Sequence, residues 1–214
     1  MEPQVLATDE NLVLLRVVVS PEKNIIKGND LYVYKPAGDG GPSLTLLPQP
    51  PGGIIFCSYQ VGVLSCPANN SRDEKEKSFF MVAALCHDES AIARGRFVLH
   101  LYYSKHQTWT ATKKCQDDQG YCLLHQNTRV VAVGGEDATI AFVDLWQGIL
   151  LCDLSQVEAK PCLRYAPLPP PAGPPILGDA RLSRDIAFVE GRFKYVQQQL
   201  HWLQVCSVDQ TSVC

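Results

Sequence analysis

The chain has 214 residues, 46% of them hydrophobic, and a formal net charge of −3 at pH 7. This length and apolar content can fill a sizeable core, which argues against a disordered chain. The lysines and arginines are scattered rather than clustered, so no stripe of positive charge is present that could neutralise a run of phosphates. Nucleic acid is therefore excluded as an expected partner.

The amino terminus carries Glu2, Asp9 and Glu10, whereas a secretory signal would place positive charge before an apolar stretch. The apolar run that follows is broken by Arg16 and is far shorter than the roughly 20 residues needed to span a bilayer. We therefore expect a protein inside the cell, cytoplasmic or nuclear, that does not interact with membranes.

Nine cysteines lie at irregular spacing, and several are inside apolar segments, as in IIFCS and ILLCDL. In a reducing compartment such cysteines behave as small hydrophobic residues rather than as disulfide partners. The glycosylation sequon at Asn69 is then expected to stay unused.

Taken in order, the chain is a succession of short segments rich in β-branched and aromatic residues, each bounded by Gly, Pro, Asn or Asp. This pattern predicts strands. The predicted strands are LVLLRVVVS, DLYVYKP, SLTLLP, GIIFCS, VGVLSC, FFMVAALC, RFVLHLYYS, TWTATKK, RVVAVGG, TIAFVD, GILLCDL, LRYAPLP, DIAFVE and RFKYVQQ. Helical periodicity is nearly absent apart from one turn in HDESAIARG, so the sequence predicts an all-β fold.

Internal similarity refines this prediction. The segment TIAFVD at 139 to 144 recurs as DIAFVE at 185 to 190, an offset of 46 residues, and a period of about 40 to 50 residues is typical of propeller blades. Residues 30 to 52 and 148 to 173 share a strand, a polar loop and a strand with a proline-rich exit, and residues 96 to 114 repeat the strand pair. We predict a β-propeller-like fold of repeated antiparallel four-stranded blades, in a complete or an incomplete ring. The charged segment NNSRDEKEKS is interpreted as a solvated loop.

The segment DLWQGI favours a structural corner over a catalytic site. Asp144 can bond to the backbone that follows it, Gly148 can take a positive φ that starts the next strand, and Trp146 can direct its N–H to a loop carbonyl. No second acid or base lies nearby in the sequence to make Asp144 a general base.

Other candidates for chemistry are weaker. Cys115, Cys122 and His125 could contribute to a zinc site, but structural zinc sites need four ligands and closer cysteines. Cys86 and His87 are adjacent and would point to opposite faces of a strand, which is poor geometry for a thiolate pair.

Three further sequence features also have structural interpretations. His100 and His106 are interpreted as core or surface histidines. The Gly134-Gly135 pair lacks the Lys and Ser/Thr of a phosphate-binding loop and is interpreted as a hairpin turn. The proline-rich segment 166 to 175 is either the exit of an edge strand, which we favour, or a polyproline ligand.

The segments VAVGGEDATIAFVDLWQGILLCDL, LRYAPLPPP and RDIAFVEGRFKYVQ, in that order, resemble the plant domain-of-unknown-function family 1618, over roughly residues 134 to 197. The residues that carry the resemblance are Asp144, Trp146, Gly148, Tyr165, Pro167, Pro169 and Pro170. The family has no assigned activity, ligand or catalytic residue. It is similar in style to the propeller-like domains that follow F-box motifs and recognise partner proteins, although no F-box-like helical segment precedes the strands here.

We accordingly divide the chain into a blade-like β region over 1–128, a family-like β region over 129–200 and a divergent tail over 201–214. The predicted function is that of a scaffold domain, not an enzyme, which binds a partner protein through its blade loops. We predict no catalytic residue, cofactor or metal. The alternatives are an enzyme or small-molecule binder with a site in a central channel, and a truncated, degenerate copy of the family.

Overall fold

A computed structural model describes residues 3–18, 29–36, 41–66, 79–88, 96–116, 125–134, 138–155, 163–170 and 178–198, with only the backbone over 111–116. These ranges consist largely of strands, with two short 3₁₀ turns at Pro51–Gly53 and Ala180–Leu182 and no α-helix. The predicted all-β class is confirmed. The described ranges also hold no helix with the length and apolar character required to cross a membrane.

Fourteen strands are found in the described part of the chain. They are β1 (Gln4–Asp9), β2 (Leu12–Val18), β3 (Asn29–Lys35), β4 (Ser43–Leu46), β5 (Val61–Cys66), β6 (Phe79–His87), β7 (Arg96–Tyr103), β8 (Thr108–Gln116), β9 (Arg129–Gly134), β10 (Thr139–Asp144), β11 (Gly148–Asp153), β12 (Leu163–Pro167), β13 (Arg184–Val189) and β14 (Arg192–Gln197). They form three four-stranded sheets, β1–β4, β5–β8 and β9–β12, and one two-stranded sheet, β13–β14. Within each sheet, strands that are consecutive in the chain pair with each other and run antiparallel.

The first strand of each sheet packs beside the first strand of the next sheet. β1 contacts β5, β5 contacts β9, and β9 contacts β13. The later strands of each sheet extend away from this row, because each pairs only with its neighbours in sequence. Side chains on β1, β5, β9 and β13 are therefore brought together, although they are far apart in the chain.

The sheets stack face to face, with a hydrophobic cluster between each successive pair. In β6, Met81, Ala83 and Leu85 belong to the cluster shared with the third sheet, whereas Val82 and Ala84 belong to the cluster shared with the first sheet. Because successive side chains of a strand point to opposite faces, a sheet covered on both faces requires a continuous apolar strand rather than an alternating one. This explains the unbroken apolar runs in FFMVAALC and TIAFVD.

The prediction of a strand at GIIFCS, residues 53–58, is wrong. The segment is irregular, and its backbone forms hydrogen bonds with side chains rather than with a neighbouring strand. Arg16 Nη1 donates to the carbonyl of Phe56 at 3.1 Å, and the amide of Cys57 donates to Gln60 Oε1 at 3.0 Å. β1 was not predicted, because its sequence QVLATD buries only Leu6 and so lacks a clear period of two.

The similarity between TIAFVD and DIAFVE does not relate equivalent positions, and this prediction is also wrong. Ile140 lies in β10, the second strand of its sheet, whereas Ile186 lies in β13, the first strand of its sheet. The β13–β14 pair instead corresponds to β1–β2. Each pair is joined by a two-residue turn that begins with a glutamate of positive φ, 46° at Glu10 and 53° at Glu190. A six-residue apolar pattern indicates that a strand is buried, but it does not indicate which position the strand has in its sheet.

The second predicted similarity is found in the structure. Residues 30 to 52, 96 to 114 and 148 to 173 contain β3–β4, β7–β8 and β11–β12, which are the third and fourth strands of the three four-stranded sheets. The second strand of each segment therefore has the same place in its sheet, whereas the polar loops at 37–40 and 156–162 lie outside the described residues.

Candidate functional site

The corner between β10 and β11 is held by the carboxylate of Asp144, which is only 2% exposed. Its Oδ1 accepts hydrogen bonds from the amides of Trp146 at 2.8 Å and Gln147 at 3.2 Å, and its Oδ2 accepts one from the amide of Gln126 at 2.8 Å. Asp144 thus ties the corner to the segment that leads into β9. Because the carboxylate accepts these three hydrogen bonds, its role is structural.

Gly148 has a different role from the one predicted, because it is not among the glycines with positive φ. A Cβ atom at this position would lie 2.5 Å from Cε2 of Tyr165 and 2.6 Å from the carbonyl oxygen of Ala166. The glycine is therefore required by the close approach of β12. The same tyrosine closes the corner, since its hydroxyl donates to the carbonyl of Gln147 at 2.9 Å.

The prolines follow from this pairing. Pro167 is the register partner of Gly148 at the end of β12, which is the outermost strand of its sheet. Pro169 and Pro170 are exposed beyond the strand. Proline is tolerated at such an edge because no amide donor is needed there. Residues 171 to 175 of the proline-rich segment lie outside the described residues.

Trp146 packs on Arg184, a residue that the sequence analysis did not single out. The guanidinium carbon of Arg184 lies 4.4 Å from the centroid of a Trp146 ring and 5.9 Å from that of Tyr195. The predicted bond from the Trp146 side chain to a loop carbonyl is not found among the described residues. The contact with Arg184 takes its place, and a cation over an aromatic face is attractive.

Arg184 is only 3% exposed, and its donors are incompletely satisfied. Its Nη1 donates to the carbonyl of Leu145 at 2.9 Å, while Nε and Nη2 are buried without a hydrogen-bond partner in the described part of the chain. The period of two in β13 could have revealed it, since Arg184 shares a strand face with the buried Ile186.

A cavity of about 620 Å³ lies among the first strands of all four sheets. It is lined by residues 5–10 of β1 and its turn, residues 62–63 of β5, residues 128–132 at β9, residues 184–188 of β13, and Ser58, Tyr59, Leu145 and Arg181. Most of its charges are engaged in bonds. Arg129 forms an ion pair with Asp185, and Asp9 accepts a hydrogen bond from the amide of Ser65 at 2.7 Å. Burial raises the pKa of Asp9.

Three loops, each leading into a first strand, meet around a second cavity of about 450 Å³. We call their shared lining the loop surface, formed by Tyr59, Gln60, Gln126, Asn127, Asp179 and Arg181. Arg181 is held in place by Asp179, with Nε to Oδ1 at 2.9 Å and Nη2 to Oδ2 at 2.6 Å. Leu182, which follows Arg181 in the chain, is 80% exposed. Tyr59, which lines the same cavity as Arg181, is 37% exposed.

Two histidines lie beneath the loop surface. His125 is fully buried, with Nε2 2.9 Å from Asn127 Oδ1 and with Nδ1 lacking a hydrogen-bond partner among the described residues. Burial lowers the pKa of His125 to about 4, so its ring is neutral at pH 7. His87 stacks on Phe97, with ring centroids 5.1 Å apart.

The sequence analysis also considered a zinc site and a thiolate pair of Cys86 and His87. Cys122 lies outside the described residues, as does the side chain of Cys115, and the described part of the chain holds no group of three His, Cys, Asp or Glu able to bind a metal. Burial raises the pKa of the Cys86 thiol to about 11. Cys86 packs on the cluster between the first two sheets, whereas His87 stacks on Phe97 of the cluster between the second and third sheets.

The remaining predicted candidates are structural or exposed. His100 is buried, and burial lowers its pKa, whereas His106 is exposed. Gly134 ends β9 with a φ of 71°, and residues 135–137 lie outside the described ranges.

Comparison of the chain with curated proteins and with solved structures finds no match. Residues 142–212 match the model of the family described as protein of unknown function, DUF1618. The match includes most of the corner, from Phe142 through Asp144, Trp146 and Gly148, and also β12 with Tyr165. It reaches into the segment predicted as a divergent tail. The predicted resemblance to this family is thus confirmed over residues 142–212.

Proposed function

We propose that this chain is a non-catalytic interaction module with a β-propeller-like arrangement, which binds a partner protein through the loop surface. The arrangement is supported by the row of first strands, β1, β5, β9 and β13, and by the meander order within each sheet. In this proposal, β13–β14 is the first half of a further blade.

The observation that carries the binding proposal is the exposure of Leu182 beside Arg181 and Tyr59. A large apolar side chain that is 80% exposed is unfavourable in water, and tyrosine and arginine are the residue types most enriched at binding hot spots. Arg181 is already fixed by two bonds to Asp179. Ordering the Arg181 side chain on binding would therefore cost little conformational entropy.

The absence of catalysis is proposed from the state of the titratable groups. In the described lining of the larger cavity, Arg129 and Asp185 neutralise each other. His125, beneath the loop surface, has one ring nitrogen bonded to Asn127 and a pKa lowered by burial to about 4. A general acid or base needs a pKa closer to neutrality.

We also propose a location inside the cell. Cys57, Cys66, Cys86 and Cys152 are free thiols in the described part of the chain, as expected for a reducing compartment. We further propose that the chain is similar to the partner-recognising domains that follow F-box motifs. The partner capture that tests the binding role also tests this similarity.

The test compares Leu182→Asp and Tyr59→Ala with a matched control, Leu44→Asp. Leu44 is 58% exposed on β4, the outermost strand of the first sheet, and lies outside the loop surface. Purified wild-type protein and the control are expected to capture the same proteins from an extract of the source cells, while the two loop variants lose them. Purified partners should bind the loop variants at least tenfold more weakly, about 1.4 kcal/mol. If all four proteins capture the same set, the loop surface is not the binding site.

A further inference from the structure

The fourth sheet consists of only two strands, β13 and β14, in the described part of the chain. In each of the other three sheets a third strand pairs antiparallel with the second, as β3 does with β2, β7 with β6 and β11 with β10. β14 has no such neighbour among the described residues, so one of its edges is open. An open strand edge is a place where a strand of another chain can add.

The backbone groups on the open edge follow from the pairing of β14 with β13. The amide of Gln198 donates to the carbonyl of Ser183 at 2.8 Å. Because alternate residues of an antiparallel strand bond to the same neighbour, the even-numbered residues of β14 direct their amides and carbonyls to β13. Phe193 and Tyr195 direct theirs to the open edge. The side chains of these two residues pack on the cluster between the third and fourth sheets.

The strand β11 of the third sheet is better covered on one face than on the other. Leu150 and Cys152 point to the second sheet and are 0% exposed. Leu151 points to the fourth sheet and is only partly buried, and so are Ala166 and Leu168 at the end of β12. The second sheet has a third strand, β7, whose side chains belong to the same cluster as Leu150 and Cys152. The described part of the fourth sheet has no third strand that covers Leu151 in the same way.

These two features form one groove, which we call the edge groove. It consists of the open edge of β14 at Phe193 and Tyr195 and of the partly buried side chains of Leu151, Ala166 and Leu168. A strand added to β14 would cover these side chains, as β7 covers the other face of β11. Residues paired across two strands point to the same face, so the residues bonded to Phe193 and Tyr195 would point to the apolar side chains. The added strand would therefore have an apolar residue at every second position.

The charges around the edge groove favour acidic residues at the positions between. Arg192 and Lys194 are exposed on the outer face of β14, where the remaining side chains of an added strand would lie beside them. Lys194 is paired with Glu190, while Arg192 has no ion-pair partner among the described residues. On the inner face, Arg164 is exposed on β12, and Asp153 is bonded within its own turn. Cations thus outnumber carboxylates among these described residues.

We propose that the edge groove binds an extended segment of a partner protein, in which apolar residues alternate with acidic ones, as a third, antiparallel strand of the fourth sheet. The backbone of the segment bonds to Phe193 and Tyr195, and its apolar side chains cover Leu151 and the neighbouring apolar residues. Its acidic side chains lie beside Arg192 and Lys194. The edge groove shares no residue with the loop surface, so either proposal can fail alone.

Calorimetry measures binding of the full chain to four capped octapeptides. They are a peptide of Glu-Val repeats, a peptide of Lys-Val repeats, and two forms of the Glu-Val peptide in which either the valine or the glutamate amides are N-methylated. The Glu-Val peptide is expected to bind once per chain, and the Lys-Val peptide at least tenfold more weakly. Methylation of the valine amides, which would face β14, should also weaken binding at least tenfold, whereas methylation of the glutamate amides should not. If the Glu-Val peptide does not bind, if the Lys-Val peptide binds as tightly, or if the two methylated forms bind equally, the proposal is wrong.

Amide hydrogen exchange in the wild-type protein locates the bound peptide without any variant. The Glu-Val peptide should slow exchange at Phe193 and Tyr195, whose amides face the open edge. The even-numbered residues of β14 already bond to β13, so their exchange should change less. Unchanged exchange at Phe193 and Tyr195 with saturating peptide would overturn the proposal.

A charge reversal tests the acidic preference. The double variant Arg192→Glu/Lys194→Glu should bind the Glu-Val peptide at least tenfold more weakly and the Lys-Val peptide more tightly. The control Lys35→Glu/Lys105→Glu makes an equal change of charge on the first and second sheets and should bind as the wild type does. Equal affinities of the two double variants for the Glu-Val peptide would contradict the proposal. Sedimentation of the wild type alone should show a monomer, since a dimer that the charge reversal abolishes would assign the edge groove to a second copy and overturn the proposal.

Discussion

Gly148 on β11 lies so close to Tyr165 on β12 that a Cβ atom on the glycine would be 2.5 Å from Cε2 of the tyrosine ring. The carbonyl oxygen of Ala166 would be 2.6 Å from the same Cβ. Because one of the two obstacles is backbone, a rotamer change of the tyrosine cannot relieve both contacts. The pairing of β11 with β12 thus depends on the missing side chain.

Gly148→Ala should therefore lower the free energy of unfolding by about 1 to 3 kcal/mol, as overpacking of a buried site does. Urea denaturation measures the loss. Gly134→Ala is the comparison, since nothing lies within 4 Å of a Cβ there and only its φ of 71° opposes alanine, at about 1 kcal/mol. An equal loss at both positions would contradict the close approach.

Asp144→Ala should destabilise the protein by about 2 to 4 kcal/mol, because it leaves the amides of Gln126, Trp146 and Gln147 without their acceptor. Asp144→Asn keeps one acceptor oxygen and should lose less. Asp153→Ala is the control, since Asp153 serves the same purpose for Ser155 at an exposed turn, where the loss should stay below about 1 kcal/mol. Chemical denaturation of the three variants gives the order.

The stability should fall in mild acid because of His125. In the unfolded chain the imidazole has a pKa near its ordinary 6.5, while burial in the folded protein lowers the pKa to about 4. Between these values the unfolded state binds a proton that the folded state does not, so the free energy of unfolding decreases as the pH falls from 6.5 to 4. The full loss from this residue is about 3 kcal/mol.

His125→Gln should flatten this part of the stability profile, which denaturation at several pH values measures. A residual slope of the same sign is expected from His100, because burial lowers its pKa as well. His106→Gln, at an exposed position, is the control variant. A profile that stays as steep in His125→Gln would show that the slope comes from other groups.

The thiols of Cys66 and Cys86 should react slowly with iodoacetamide in the folded protein. Burial raises the pKa of each to about 11 from an ordinary 9.0, so the thiolate is about a hundredfold scarcer at pH 8. Mass spectrometry of peptides labelled for increasing times measures the rates, and the urea-unfolded chain is the control. Equal rates in the folded and unfolded protein would contradict the burial of these thiols.

The corner and the strands were accessible from the sequence because they depend on local chemistry. Two of the three amides that Asp144 binds follow it within three residues, and aspartate commonly forms such a turn. The same reasoning failed at residues 53–58, where IIFC has the composition of a strand. Hydrogen bonds with the side chains of Arg16 and Gln60 satisfy that backbone instead. No local sequence pattern predicts these bonds.

The candidate site was less accessible for the same reason. Arg184 follows a serine and precedes an aspartate, as a surface arginine would. It is buried because β13 packs beside β9 and because the corner presents Trp146 to it, across 38 residues of chain. Only the shared face with Ile186 gave a signal, and that signal is weak in a six-residue strand.

Local sequence patterns are enough to specify short antiparallel strands and the turns between them, since period-two patterning and turn residues act over a few positions. The sequence also contained residues 142–212, which match the model of the DUF1618 family. The tertiary structure decided which strands lie side by side, and so placed Ile186 in a first strand, opened the cavity among β1, β5, β9 and β13, and buried Arg184 on its wall. Those outcomes depend on packing between faces of distant sheets, where many apolar side chains of similar size can satisfy the same local pattern.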